Sequence, residues 1–270
     1  MESSLEQCHS SNHQAKTLAK AGRLKVRWHT RLDVAPAAIP DGVDLADKIE
    51  GMLLGLAIGD SLGNTSESRS PADRARDLGW IDGYLPNRHA GGRRVGLPSD
   101  DTQMAFCTIE HLLATGRLEP QLLGEAFATR PIYGIGSSVR SFLAQFKTGL
   151  PWDRCGAPSS GNGALMRIAP ILLPHLSAPS VDLWGDTLLA AHLTHDDELS
   201  NISCVAMVDM LWQLIGMSAA PAGTWWIDRW LEAGDDLGNG AIYKARNGHP
   251  PGFKGALSDQ EGVGGWSAQG

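Results

Sequence analysis

Cysteine is scarce in this 270-residue sequence, and its distribution excludes two classes of site. Cys8, Cys107, Cys155 and Cys204 are far apart and form no Cys-x-x-Cys pair. Neither a structural zinc site nor a disulfide framework is therefore indicated. Thiols that stay reduced are typical of the cytosol. We expect a cytoplasmic protein that is stabilised by a hydrophobic core.

Long hydrophobic runs and an excess of basic residues are also lacking. No apolar run approaches the roughly 20 residues that a membrane-spanning helix needs, and the polar N-terminus lacks the apolar core of a signal peptide. The net charge of -7 argues against general nucleic-acid binding, which requires a basic surface. We therefore expect no membrane and no nucleic-acid partner. An anionic small molecule stays a candidate ligand, because backbone N–H groups can bind it without net positive charge.

Alternating strand patterns are almost absent, whereas apolar residues recur at helical spacing. The segment LADKIEGMLLGLAIGDSLG has such an apolar face at Leu45, Ile49, Met52, Leu53 and Leu56. Five further segments read as helices: PQLLGEAFATR, SSVRSFLAQFKTG, SVDLWGDTLLAAHLTH, NISCVAMVDMLWQLIGM and GTWWIDRWLEAG. The sequence predicts an all-α fold, a compact multi-helix single domain over residues 44–270.

Residues 1–43 differ from this domain in charge and patterning. The first 31 residues hold six basic and two acidic side chains, and the Pro-rich stretch APAAIPDG follows. Such a segment predicts a flexible extension, either disordered or bound to a partner. A cloning or targeting remnant is the other interpretation. On either interpretation, deletion of residues 1–40 is expected to leave the thermal stability nearly unchanged.

The stretch GLPSDDTQMAF, residues 96–106, places two carboxylates directly before an apolar run. One interpretation is helix capping, with Ser99 as N-cap, acidic residues at the positive end of the dipole and Gly116 as the stop. The buried stripe would then be Ala105, Ile109, Leu112 and Leu113. The other interpretation is that Ser99, Asp100 and Asp101 chelate a hard cation, Mg²⁺ or Mn²⁺.

Three other polar or glycine-rich islands interrupt the apolar helices. They are GLAIGDSLGNTSE (55–67), the pair YGIGSSVRSF (133–142) and PSSGNGALMRIAPI (158–171), and LTHDDELSN (193–201). Each is weak evidence alone, because short Gly-rich turns occur in many proteins. Together, and in this order with SDDTQMA, they resemble the ADP-ribosylglycohydrolase family. That family includes the enzyme that reactivates dinitrogenase reductase by removing ADP-ribose from arginine.

The resemblance implies an all-α fold with a cleft for two divalent metals. It assigns metal binding to Ser99, Asp100 and Asp101, and places Glu67 as an acidic residue reaching toward the same metals. It assigns the glycine-rich turn near the diphosphate to Gly134, Gly136, Ser137 and Ser138. It assigns the loop around the distal ribose and the diphosphate to Ser159, Ser160, Gly161 and Asn162. His195 would line the nucleotide side of the cleft.

The expected function is metal-dependent hydrolysis of the bond between ADP-ribose and a protein side chain, with arginine as the first choice. A metal-held water would attack the anomeric carbon, with Asp101 or Glu67 positioning or deprotonating it. An alternative is an immunity or inhibitor protein that blocks an ADP-ribosylating toxin through the N-terminal extension, with or without hydrolase activity. A third is a metal-free structural relative, like some lens proteins of the family.

The resemblance also implies a second acidic motif, Asp-x-Asp-Thr, near the C-terminus. Residues 202–270 contain no such motif, and residues 237–270 instead hold nine glycines. Asp235 and Asp236 form the nearest acidic pair, and Asp259 is the other acidic residue considered. We therefore expect a domain that is incomplete at its C-terminus and a chain with weak or absent turnover.

Overall fold

Helices form where apolar periodicity predicts them, and the all-α fold class is confirmed. The computed structural model describes residues 10–67 and 69–237. The α-helices in these ranges are α1 Ser11–Lys20, α2 Leu45–Gly63, α3 Pro71–Leu78, α4 Asp100–Thr115, α5 Pro120–Thr129, α6 Ser137–Lys147, α7 Asp182–His192, α8 Glu198–Ile215 and α9 Gly223–Asp236. Two short strands, β1 Pro86–Asn87 and β2 Arg93–Arg94, pair antiparallel with Pro86 opposite Arg94.

Helix α4 illustrates how the sequence sets an element and where the predicted pattern fails. It ends at Gly116, whose φ of 73° lies in the left-handed region and whose N–H donates to Leu112, as expected for a helix stop. Met104, Ala105 and Leu112 are buried, but Leu113 is 81% exposed. The predicted stripe is therefore wrong at Leu113, because α5 and the neighbouring 3₁₀ segments pack on the Met104 side.

The core is centred on α7 and α8. Every residue from Leu183 to His192 is buried, because α7 lies between α1, α8 and a 3₁₀ segment, Ala169–His175. The predicted apolar face of α2 contacts this core through Leu45, Ile49 and Met52. No helix in the described part of the chain is both long and apolar enough to cross a bilayer.

The N-terminal segment, here residues 10–40, packs on the core, so the prediction of a disordered extension is wrong for these residues. Its helix α1 lies on α7, and Gly185 permits the approach, since a Cβ there would overlap the backbone of Ser11 and Asn12. Leu24 and Leu32 are each 1% exposed. Residues 1–9 lie outside the described ranges.

Hydrogen bonds also tie the N-terminal segment to α7 and α8. The indole N–H of Trp184 donates to the carbonyl of Val34, and that of Trp212 donates to the carbonyl of Ala37, both at 2.8 Å. Aromatic N–H groups that are buried need such partners. The segment therefore belongs structurally to the helical domain that the sequence predicts for residues 44–270.

Candidate active site

The N-terminus of α4 is capped by a side chain from another helix. Asp60, in the last turn of α2, accepts hydrogen bonds from the backbone N–H groups of Ser99 at 2.7 Å and Thr102 at 3.2 Å. It also accepts from both of their hydroxyls at 2.6 Å. Ser99 occupies the N-cap position, but its side chain makes no capping bond. Asp60 therefore has the capping role that the sequence assigned to Ser99, and it leaves Asp100 and Asp101 free of that role.

Asp100 and Asp101 form a cluster of like charge with Asp60. Burial, and then the charges of Glu67 and Asp60, raise the pKa of Asp100 to about 6. Burial, and then the charges of Asp60 and Asp100, raise the pKa of Asp101 to about 7. Desolvation and like charges both disfavour the ionised carboxylate, which is why both act in the same direction. The predicted acidic residues thus share one local electrostatic environment.

The first glycine-rich turn lies against the start of α4. Tyr133 donates its backbone N–H to the side-chain oxygen of Gln103 at 3.2 Å, which fixes the turn beside the acidic cluster. Gly134 has a φ of 89°, and a Cβ there would lie 2.6 Å from Oδ1 of Asp100. Only glycine satisfies both the backbone conformation and this close approach. The structure therefore brings the predicted residues Gly134, Ser99 and Asp100 together.

The second glycine-rich loop lies against His195. Ala157 donates its N–H to the carbonyl of Thr194 at 3.0 Å and accepts from the N–H of Asp196 at 2.7 Å. A Cβ at Gly163 would lie 2.8 Å from Cε1 of His195, so this loop can approach the imidazole only because that residue is glycine. Gly161 is also adjacent to the ring, with a built Cβ 3.7 Å from Nε2.

Helix α6 connects the two loops, because Gly134 shortly before it contacts Asp100 and Val139 within it contacts Gly163. Gly136 precedes α6 as its N-cap, and Ser137 and Ser138 are the first residues of the helix. No side chain in the described part of the chain caps this N-terminus, so its first N–H groups stay available to an anion.

Several predicted residues are exposed rather than packed. Gly136, Ser137, Ser160, Asn162 and Glu67 lie at the surface of the described chain. Open space surrounds Gly136 among the described residues, so the packing of these residues does not require glycine there. Ser159 instead accepts the N–H of Gly161 at 3.2 Å, which stabilises the turn itself.

Asp236, one of the acidic residues considered near the C-terminus, forms an ion pair with the N-terminal segment. Asp236, at the end of α9, pairs with Arg31 of the N-terminal segment at 2.5 Å. Arg31 also pairs with Asp209 of α8 at 2.7 Å, so Asp236 belongs to this ion-pair network. Asp235 precedes it on α9, and Asp259 lies outside the described ranges.

Sequence reasoning missed Asp60 and Arg167. Asp60 stands in the GLAIGDSLG stretch, and a lone carboxylate in an otherwise apolar, small-residue stretch is the signal that could have identified it. Arg167 stands in GALMRIAPI and is 1% exposed. A single cation within an apolar run is the corresponding signal, although its partner cannot be read from the sequence.

Comparisons with known proteins show which proteins this chain is similar to. The chain is 29% identical over 229 residues to ADP-ribosyl-[dinitrogen reductase] glycohydrolase of Rhodospirillum rubrum, covering 80% of this chain and 71% of that protein. It is 34% identical over 158 residues to ADP-ribosylarginine hydrolase Tri1 of Serratia proteamaculans, covering 54% of this chain and 40% of that protein. It is 29% identical over 170 residues to ADP-ribosylhydrolase ARH3 of Gallus gallus, covering 56% and 46%.

The chain thus spans less than half of the Serratia and Gallus proteins that it matches. A family model described as ADP-ribosylglycohydrolase matches residues 41–268, which confirms the resemblance seen in the motifs. Because that match covers most of the sequence, this chain belongs to the ADP-ribosylglycohydrolase family.

Proposed function

We propose that this chain hydrolyses the glycosidic bond between ADP-ribose and a protein side chain, with arginine as the linked residue. Family membership supports the reaction class. The name ADP-ribosylarginine hydrolase, carried by the Serratia relative, supports arginine. The observation that carries the proposal is the cap from Asp60. Since Asp60 satisfies the start of α4, the adjacent carboxylates of Asp100 and Asp101 are left for chemistry.

We further propose that a divalent cation, Mg²⁺ or Mn²⁺, binds at Asp100 and Asp101 with the Ser99 hydroxyl beside them. The donors are all oxygens, which such hard cations prefer. A cation here would offset the repulsion and burial that raise the pKa of both carboxyl groups. Among the described residues no group of three acidic, His or Cys side chains could share one ion. Water and substrate hydroxyls would therefore complete the coordination.

The chain's own groups then divide the work of the reaction. A bound cation would polarise a water and the ribose hydroxyls. Asp100 and Asp101 place negative charge beside a reaction centre that resembles an oxocarbenium ion, which such charge stabilises. Asp101 and Glu67 are the two carboxylates available to position or deprotonate the attacking water. The variants Asp101→Asn and Glu67→Gln separate these two roles.

Binding of the diphosphate is assigned to the two glycine-rich loops. The uncapped N-terminus of α6, with Ser137 and Ser138, offers backbone N–H groups and hydroxyls that suit an anion in an acidic protein. Ser159, Ser160, Gly161 and Asn162 offer polar groups on the opposite loop, next to His195. The close packing of Gly134 and Gly163 keeps both loops near α4 and α7.

The test measures release of free ADP-ribose from arginine-, serine- and glutamate-linked substrates, with Mg²⁺, Mn²⁺ or a chelator. Enzyme in excess over substrate allows slow turnover to be measured. We expect release from the arginine linkage that the chelator abolishes. Asp100→Asn and Asp101→Asn should each reduce the rate on the order of 100-fold, while Asp82→Asn, at an exposed position, should not.

Two outcomes would contradict the proposal. ADP-ribose release that is insensitive to the chelator would contradict the proposed role of the cation. ADP-ribose binding without release from any linkage would favour a non-catalytic relative instead. The toxin-blocking alternative is not favoured, because the segment that suggested it packs on this chain's own α7 in residues 10–40.

A further inference from the structure

Arg167 is buried without an acidic partner in the described part of the chain. It is 1% exposed, and its guanidinium carbon lies 5.0 Å from the ring centroid of Phe127. Its Nη2 donates to the carbonyl of Ala190 at 2.9 Å and to the hydroxyl of Thr194 at 2.7 Å. Its Nε and Nη1 have no hydrogen-bond partner among the described residues. A buried cation with two unsatisfied nitrogens costs stability, so packing alone does not account for it.

Thr194 links Arg167 to His195. The Thr194 hydroxyl lies 2.9 Å from Nδ1 of His195. Arginine can only donate, so the hydroxyl oxygen accepts from Arg167. The hydroxyl proton is then free to be donated, and Nδ1 of His195 is an acceptor within reach. An imidazole that accepts at Nδ1 carries its proton on Nε2.

We propose that Arg167 is a positioning residue that acts through Thr194 to hold His195 as the neutral tautomer with its proton on Nε2. That nitrogen is the one beside the second glycine-rich loop, 3.2 Å from a Cβ built on Gly163. Among the described residues Nε2 has no hydrogen-bond partner, so its N–H is available to a ligand. That this ligand is ADP-ribose rests on the proposed function.

The charges around His195 agree with a neutral ring. Burial, and then the charge of Arg167, lower the pKa of His195 to about 4. On its own turn, the Asp196 carboxylate is engaged by the Lys25 N–H and by His192, at 2.9 and 3.1 Å. Asp197 accepts the N–H of Leu199 at the start of α8. Arg167 is therefore the charged group that is linked to the His195 imidazole, through its hydrogen bond to the Thr194 hydroxyl.

The tautomer can be measured without any substrate, by two-bond ¹H–¹⁵N correlation spectra of the full chain labelled at histidine. His195→Asn identifies the His195 signals. We expect a protonated Nε2 and an unprotonated Nδ1 from pH 5 to 8. Thr194→Val should produce a mixture of tautomers, and Thr194→Ser should restore the single one. Arg167→Gln should give the same mixture of tautomers as Thr194→Val, and a folded Arg167→Gln protein that keeps the single wild-type tautomer would overturn the role of Arg167.

His111 provides an internal control, because its Nε2 accepts the N–H of Glu119 at 3.0 Å and its proton must lie on Nδ1. Its signals should be the same in all folded variants. A proton on Nδ1 of His195 in the wild type, or an unchanged His195 pattern in Thr194→Val, would overturn the proposal.

Titration with free ADP-ribose tests the consequence for binding. Thr194→Val should bind more weakly in proportion to the fraction of His195 that lacks the Nε2 proton, about two-fold for an equal mixture of tautomers, and Thr194→Ser should bind like the wild type. Equal affinities in all three proteins would overturn the role of the Nε2 proton in binding. Wild type that does not bind ADP-ribose would instead refute the proposed function, while the spectra of Arg167→Gln and the Thr194 variants would still test the tautomer of His195 and the role of Arg167.

Discussion

At the residue scale, Asp100 and Asp101 make the folded protein sensitive to pH. Their pKa values are about 6 and about 7, whereas the ordinary value is 3.8. Between pH 4 and 7 the folded protein therefore binds more protons than the unfolded chain. Under that condition the free energy of unfolding falls as the pH rises. The acidic pair is thus a source of instability at neutral pH unless a cation neutralises it.

The variant Asp101→Asn tests the direction in which the free energy of unfolding changes with pH. In the presence of a chelator, its free energy of unfolding should exceed that of the wild type by about 1 kcal/mol at pH 4.5 and by more at pH 8. The difference at pH 8 should be on the order of 4 kcal/mol at most. Urea unfolding at both pH values measures it, and Asp82→Asn serves as the exposed control. A variant that is less stable than wild type at pH 8 would show that the carboxylate stabilises the fold.

At the element scale, the contact between α2 and α4 depends on Asp60. Its carboxylate satisfies the N–H groups of Ser99 and Thr102 together with both hydroxyls. Asp60→Ala would leave these donors without their acceptor. Hydrogen bonds to charged groups contribute more than neutral ones, so we expect a loss of about 2–4 kcal/mol in the free energy of unfolding.

Asp44→Ala is the matched control, because Asp44 caps the start of α2 through a single bond to the Asp47 N–H at 3.1 Å. It should cost about 1 kcal/mol. Removing Asp60 should also lower the pKa of Asp101, since the Asp60 charge raises it. If urea unfolding shows the same loss in free energy of unfolding for both variants, Asp60 stabilises the protein no more than an ordinary N-cap residue does.

The elements differ in how far the sequence predicts them. Helices with an apolar face, such as α2 and α8, follow from periodicity. Helix α1 does not, because SNHQAKTLAK buries only Asn12, Ala15 and Leu18 and depends on its packing against α7. Helix α3 buries none of its residues, so it has no periodicity to detect.

The candidate site likewise contains residues that the sequence identifies and partners that it does not. Motif order placed the acidic pair, both glycine-rich loops and His195, since each is a local pattern. The partners of these groups lie far away in sequence. Asp60 contacts Ser99 from 39 residues away, and Arg167 contacts Thr194 from 27 residues away. Such pairings are set by tertiary packing, which a single sequence does not display.

At the scale of the whole molecule, the N-terminal segment links distant parts of the chain. Arg31 pairs with Asp209 and Asp236, and the Lys25 N–H donates to Asp196, one residue after His195, at 2.9 Å. The Asn201 side chain donates in turn to the Lys25 carbonyl at 3.0 Å. The segment precedes the stretch that the family model matches, residues 41–268, yet it supports the turn that carries His195.

The final prediction concerns this segment, whose removal the sequence suggested would be harmless. Leu32 is 1% exposed and lies in the same core cluster as Leu183 of α7. Leu32→Ala should therefore lower the free energy of unfolding by about 2–5 kcal/mol. Leu113→Ala, at an 81% exposed position, should change it by less than about 0.5 kcal/mol.

Deleting residues 1–40 should lower the free energy of unfolding by more than Leu32→Ala does, because it also removes Leu24 and the partner of Trp184. Urea unfolding of the three variants checks this order, and a deletion as stable as the full chain would show that the segment packs without stabilising the domain.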